Sequence, residues 1–171
     1  MNIRQVRWGT FLAALHYRFD ASQSTTYEHN GTRVQLGYGS GPVAGEIGKD
    51  VLSIGNHSVR AQSFVQVENS ETRAFAAAQF DGILGLAYPA LSVIGVTPVF
   101  DNLIAQGVVP RALFSVFLRR GYSAADGGEV FFGGIDADHY SGELVYAPVS
   151  KKGYWQLSAD RSGKDALTSS V

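Results

Sequence analysis

The chain has 171 residues, 45% hydrophobic and 17% charged, a balance that suits a folded domain with a real core and excludes a disordered tail. A formal net charge of -1 leaves no basic field for nucleic acid or an anionic membrane. There is no cysteine, which excludes disulfides, thiolate nucleophiles and cysteine-based metal sites.

The 20 glycines, 10 Phe and 8 Tyr lean towards strands and turns. Residues 8–15 are apolar and follow Arg4 and Arg7. That stretch is short for the core of a secretory signal, so a packed first strand or an unrelated leader is expected. No apolar run approaches the ~20 residues of a membrane-spanning helix. Ser22-Gln23-Ser24-Thr25-Thr26 reads as a surface loop or short turn. Asn30-Gly31 signals a two-residue hairpin turn. Residues 33–38 and 43–47 then alternate at period 2, as a hairpin whose glycine-rich tip, around Tyr38-Gly39-Ser40-Gly41-Pro42, carries one exposed aromatic.

Residues 50–54 and 59–67 read as the next strands, with Gly55-Asn56 as their turn and a charged loop at 68–73. In Phe80-Asp81-Gly82-Ile83-Leu84-Gly85-Leu86 the apolar run 83–86 predicts a short buried strand. Gly82 and Gly85 there suggest a sharp turn or a close backbone approach. Residues 97–107 carry the best helix, with Thr97 as N-cap, Pro98 in the first turn and Gly107 as the stop. Val99, Leu103 and Gln106 share its inner face, with Phe100 and Ile104 beside them. Strands are expected at 113–118 and 129–132, joined across Asp126-Gly127-Gly128, and again at 142–147 and 154–157. Turn signals at roughly ten-residue spacing predict an all-β sandwich or barrel with one or two short helices.

His16, His29, His57 and His139 are scattered and form no H-E-x-x-H, so no metal site is expected. No G-x-S-x-G offers a serine nucleophile. Gly37-x-Gly39-x-Gly41 is followed by Pro42 and a strand instead of a helix, which argues against a phosphate cradle. Asn30-Gly31-Thr32 and Asn56-His57-Ser58 fit the N-glycosylation acceptor pattern, and each asparagine can equally be a turn residue. Asp81 and Asp136 are carboxylates in apolar, glycine-rich settings, but neither lies in a polar cradle suited to a proton-sharing pair. Asp81 is instead expected to accept local backbone N–H groups at the turn into Gly82.

Phe80-Asp81-Gly82-Ile83-Leu84-Gly85-Leu86-Ala87-Tyr88-Pro89 closely resembles a signature of the pepsin-like aspartic proteases. Other segments resemble that family in the right order: Phe19-Asp20-Ala21-Ser22-Gln23-Ser24-Thr25-Thr26-Tyr27, the flap-tip segment Tyr38-Gly39-Ser40-Gly41, and Thr97-Pro98-Val99-Phe100-Asp101-Asn102-Leu103. Gly133-Gly134-Ile135-Asp136, His139-Tyr140-Ser141-Gly142 and Tyr154-Trp155-Gln156-Leu157 complete the set. The resemblance spans residues 13–160, with 1–12 as an unrelated leader and 161–171 as a divergent tail.

The resemblance implies an all-β, truncated N-terminal lobe and a lineage of aspartic endopeptidases that need no cofactor. Tyr38 would be the flap tyrosine, with Gly39 and Ser40 hydrogen-bonding a peptide or protein substrate. Phe75, Phe80 and Ile83 would line the pocket for the side chain before the scissile bond. Asp81 matches a non-catalytic aspartate of the family. The family's catalytic aspartates each sit in Asp-Thr-Gly, and these 171 residues contain none, so no catalytic residue is assigned. A chain inactive by itself is therefore expected, or else a peptide-binding decoy module or a truncated product without function. The family also implies a second lobe as partner and a secreted, lysosomal or endosomal location.

Overall fold

A computed structural model describes residues 17–39, 41–70, 78, 80–93, 95–119 and 127–159. Strands β1 (Glu28–Tyr38), β2 (Gly41–Ile54) and β3 (His57–Ser70) form an antiparallel sheet in that order. Helix α1 spans Val99–Ala105. Strands β4 (Phe114–Leu118) and β5 (Gly128–Phe132) pair as a second, two-stranded sheet. The all-β expectation holds, with short helical pieces as its only departure among the described residues.

The main core lies where α1 meets both sheets. Val59 of β3, Val99, Phe100 and Leu103 of α1, Val109, and Phe132 of β5 are buried together. Leu52, Ile54, Leu86, Val108 and Phe114 pack around them. Phe100 meets Phe114 edge to face at 5.0 Å between ring centroids, which joins helix to second sheet. The predicted inner face of α1 is thus correct, and Ile104 falls at its exposed border.

α1 begins one residue later than the cap signal implies. Pro98 holds the N-cap position, while the Thr97 carbonyl accepts a bond from Gln62 Nε2. Gly107 does stop the helix, at φ 64°. Opposite α1, β3 carries a bulge. Asp50 pairs with Gln62 and Leu52 with Val59, so Arg60 and Ala61 face a single residue of β2. The Gln106 side chain bonds both backbone groups of Arg60, accepting from its N–H and donating to its C=O at 2.9 Å each. This fastens α1 to the bulge.

Several expected elements differ. Asn30-Gly31 makes no hairpin, because β1 runs through it. Gly31 takes φ 73° and the β1–β2 register shifts between His29 and Arg33, so the signal produces an irregularity inside a strand. Asn30 Oδ1 accepts from both the N–H and the hydroxyl of Thr32, the local bonding that made the pair look like a turn. Residues 41–54 form one long strand instead of two, and β3 extends into the segment expected as a charged loop.

Residues 83–86 form no strand, and Ile83 and Leu84 are exposed. A Cβ added at Gly82 or Gly85 would meet nothing within 4 Å. Apolar character supplies no partner for backbone N–H and C=O groups, and no described strand runs beside this segment. The same reason applies to 142–147, which is irregular and exposed, and to 154–157, where only Lys151 and Gln156 form a bridge.

Candidate functional site

The β1–β2 hairpin builds the tip expected of a flap. Leu36 pairs with Val43, Gly37 with Pro42, and Tyr38 with Gly41, so the register closes towards the tip, and Gly39 follows β1 directly. β3 pairs with β2 only from Val43 onward, so Gly41 and Pro42 have a strand partner on one side alone. Pro42 has no N–H to leave unpaired there. Buried Val34 and Val43 anchor the base, and Tyr38 at the tip is 38% exposed. Gly39 has open space around the place a side chain would occupy.

Phe80 and Ile83 sit in the irregular segment after β3 and are each about half exposed. Phe75 and Ser40, expected in the pocket and at the flap tip, lie outside the described residues. The described geometry therefore gives Tyr38, Gly39, Phe80 and Ile83 as accessible groups on two elements. A hollow of about 280 Å³ lies elsewhere, lined by Arg33, Val34, Gln35, Ala44, Gly45 and Glu68. Arg33 rims it and reaches Glu46 at 3.1 Å and Glu68 at 3.7 Å, which makes it an ion-paired surface depression.

The carboxylates have structural work. Asp81 Oδ1 accepts the N–H of Tyr17 at 3.0 Å, across 64 residues of sequence. This bond is long-range, where bonds to the local turn into Gly82 were expected. Asp136 caps the short turn Ala137–His139 by accepting from Asp138 N–H at 2.9 Å. Asp50 lies 5% exposed in β2. Burial opposes its charge, but the hydroxyls of Thr26 and Ser24 and the N–H of Val51 outweigh that and hold its pKa below the usual value.

Phe19 and Tyr27 flank the turn capped by Asp20 and pack on the sheet, with Phe19 edge-on to Phe64 at 4.9 Å. Gln66 donates to the Tyr27 hydroxyl. Beside the main core Trp155 Nε1 donates to the Leu86 carbonyl at 2.8 Å, and its ring contacts Tyr88 and Phe114. Within the segments quoted as family-like, Phe19, Leu86, Val99, Phe100, Leu103 and Trp155 thus fix the chain to its sheets and core. Reading the histidines as scattered missed one grouping: His139 Nε2 faces Glu129 and Asp136. The available signal was the Asp136-x-x-His139 spacing.

The chain matches the eukaryotic aspartyl protease family over residues 10–170. It belongs to that family. The match runs past the 13–160 span drawn from motifs, and residues 1–12 and 161–171 lie outside the described residues. Among curated relatives of this aspartyl protease chain, cathepsin E-A of Xenopus laevis is 45% identical over 147 residues, which is 86% of this chain and 37% of that protein. Cathepsin E of Oryctolagus cuniculus is 44% identical and cathepsin D of Gallus gallus 41%, each over 146 residues, 85% of this chain and 37% of theirs. The chain therefore spans little more than a third of the length of these relatives. No described helix is long and apolar enough to cross a membrane.

Proposed function

We propose that this chain supplies the flap and part of the substrate cleft of a pepsin-like aspartic endopeptidase and does not cleave peptides by itself. The observation that carries the reading is Tyr38, held exposed at the end of a two-stranded, glycine-rich tip in a chain of the aspartyl protease family. In this chemistry two carboxylates activate a water that attacks the peptide carbonyl, while the flap excludes solvent. Tyr38, Gly39 and Ser40 would close over the peptide, and Phe75, Phe80 and Ile83 would take an apolar side chain. These 171 residues contain no Asp-Thr-Gly, and Asp81 and Asp136 are committed to backbone bonds. A second lobe is the partner that would complete the site. A secretory or lysosomal route fits this reading, and on that route Asn30 and Asn56, exposed on β1 and in the β2–β3 turn, are the glycan acceptors.

The test is digestion of an apolar peptide at acid pH, with and without a transition-state-mimicking peptide inhibitor. No inhibitor-sensitive cleavage is expected, and such cleavage would refute the inactivity. Separately, the same peptide should bind the intact chain, and Tyr38→Ala should weaken that binding by about tenfold. Binding indifferent to Tyr38 would remove the flap role.

A further inference from the structure

We propose that Glu129, Asp136 and His139 form a surface site for a divalent transition-metal ion such as zinc. His139 Nε2 lies 3.9 Å from Glu129 Oε1 and 3.7 Å from Asp136 Oδ2. The three donor atoms all fall within 4.8 Å of one another. Zinc bound to imidazole and carboxylate at about 2.0–2.2 Å needs donors roughly 3.3–3.6 Å apart. Small rotations of two partly exposed carboxylates close that difference.

The imidazole, more than the acidity, distinguishes this group from an ordinary acidic patch, because it adds a nitrogen donor that hard alkaline-earth ions do not favour. Each donor is placed by a separate constraint. The His139 ring lies flat on Phe117, with centroids 4.0 Å apart and planes 5° from parallel. Phe117 is the direct cross-strand partner of Glu129, so the β4–β5 register sets imidazole and carboxylate side by side. Asp136 spends Oδ1 on capping the turn Ala137–His139, which leaves Oδ2 towards His139 three residues on. Residues three apart on such a turn lie one above the other.

The charge balance points the same way. Two carboxylates converge on one imidazole, and no described Lys or Arg pairs with either of them. A bound dication relieves that excess negative charge, with water completing its coordination. The group is separate from Tyr38, Phe80 and Ile83 and needs none of the peptide-binding reading.

Equilibrium dialysis of the full chain against zinc alone tests the site, with the visible spectrum of the cobalt-substituted protein as a second readout. The parent chain should bind zinc, and His139→Phe, which keeps the stack on Phe117, should weaken one binding event by on the order of tenfold or more. Glu129→Gln should weaken it likewise without touching the stack or the cap. Zinc should raise the unfolding temperature of the parent and not of His139→Phe. Failure of the parent to bind zinc at millimolar concentration overturns the proposal. So does binding that neither variant changes, which would place the metal on the other histidines.

Discussion

At the scale of single residues, Asp50 is the group whose surroundings decide most. Its carboxylate is 5% exposed and remains charged because Thr26, Ser24 and the Val51 N–H all serve it. Its folded pKa lies below its unfolded one, so it stabilises the fold fully above the unfolded value of about 3.9. That contribution fades as pH falls through the lower, folded value. Asp50→Asn is expected to cost about 1–3 kcal/mol at neutral pH and to flatten the loss of stability below about pH 4, measured by urea unfolding across pH. Equal pH slopes in parent and variant would rule this out. Gly45 is a second such position, because a Cβ there would come 2.0 Å from the Gln66 carbonyl oxygen in the partner strand. Gly45→Ala should therefore separate β2 from β3 locally and cost about 1–3 kcal/mol, read by thermal unfolding and by faster amide exchange in β3.

At the scale of elements, α1 joins the two sheets. Leu103 is fully buried between them, and Leu103→Ala should lower stability by about 2–5 kcal/mol in chemical denaturation. Gln106 acts differently, since it bonds the two backbone groups that the bulge at Arg60 and Ala61 frees from the ladder. Water can replace a half-exposed amide, so Gln106→Ala should cost only about 1 kcal/mol. Amide protection at Arg60 should nevertheless fall, and unchanged exchange there would show that the helix is held by apolar packing alone. The inner face of α1 was legible in the sequence because its period is local. The bulge was not, because one extra residue in β3 matters only against the register of β2.

At the scale of the whole molecule, much apolar surface faces solvent. Leu118, Val145 and Tyr146 are more than 70% exposed, and Phe80, Ile83, Val116, Trp155 and Leu157 about half. Surface of this kind marks an interface or an aggregation liability. The chain alone is expected to bind a hydrophobic dye and to associate as concentration rises, measured by sedimentation velocity. A monomer at all concentrations with no dye binding would show that this surface is covered. The same exposure explains why residues 83–86, 142–147 and 154–157 read as strands yet are irregular. Their apolar pattern asks for neighbours that the described residues do not provide.

The sequence by itself determined the family, the all-β class, the glycine-rich β1–β2 hairpin and the buried face of α1. These follow from local periodicity, turn residues and ordered motifs, which need no knowledge of distant contacts. Tertiary structure alone decided the roles of the charged groups. Asp81 holds Tyr17 across 64 residues, Asp50 is kept ionised by Thr26 on another segment, and the β4–β5 register brings Glu129 beside His139. A carboxylate's chemistry depends on what burial and which donors surround it, and those neighbours come from folding instead of sequence spacing.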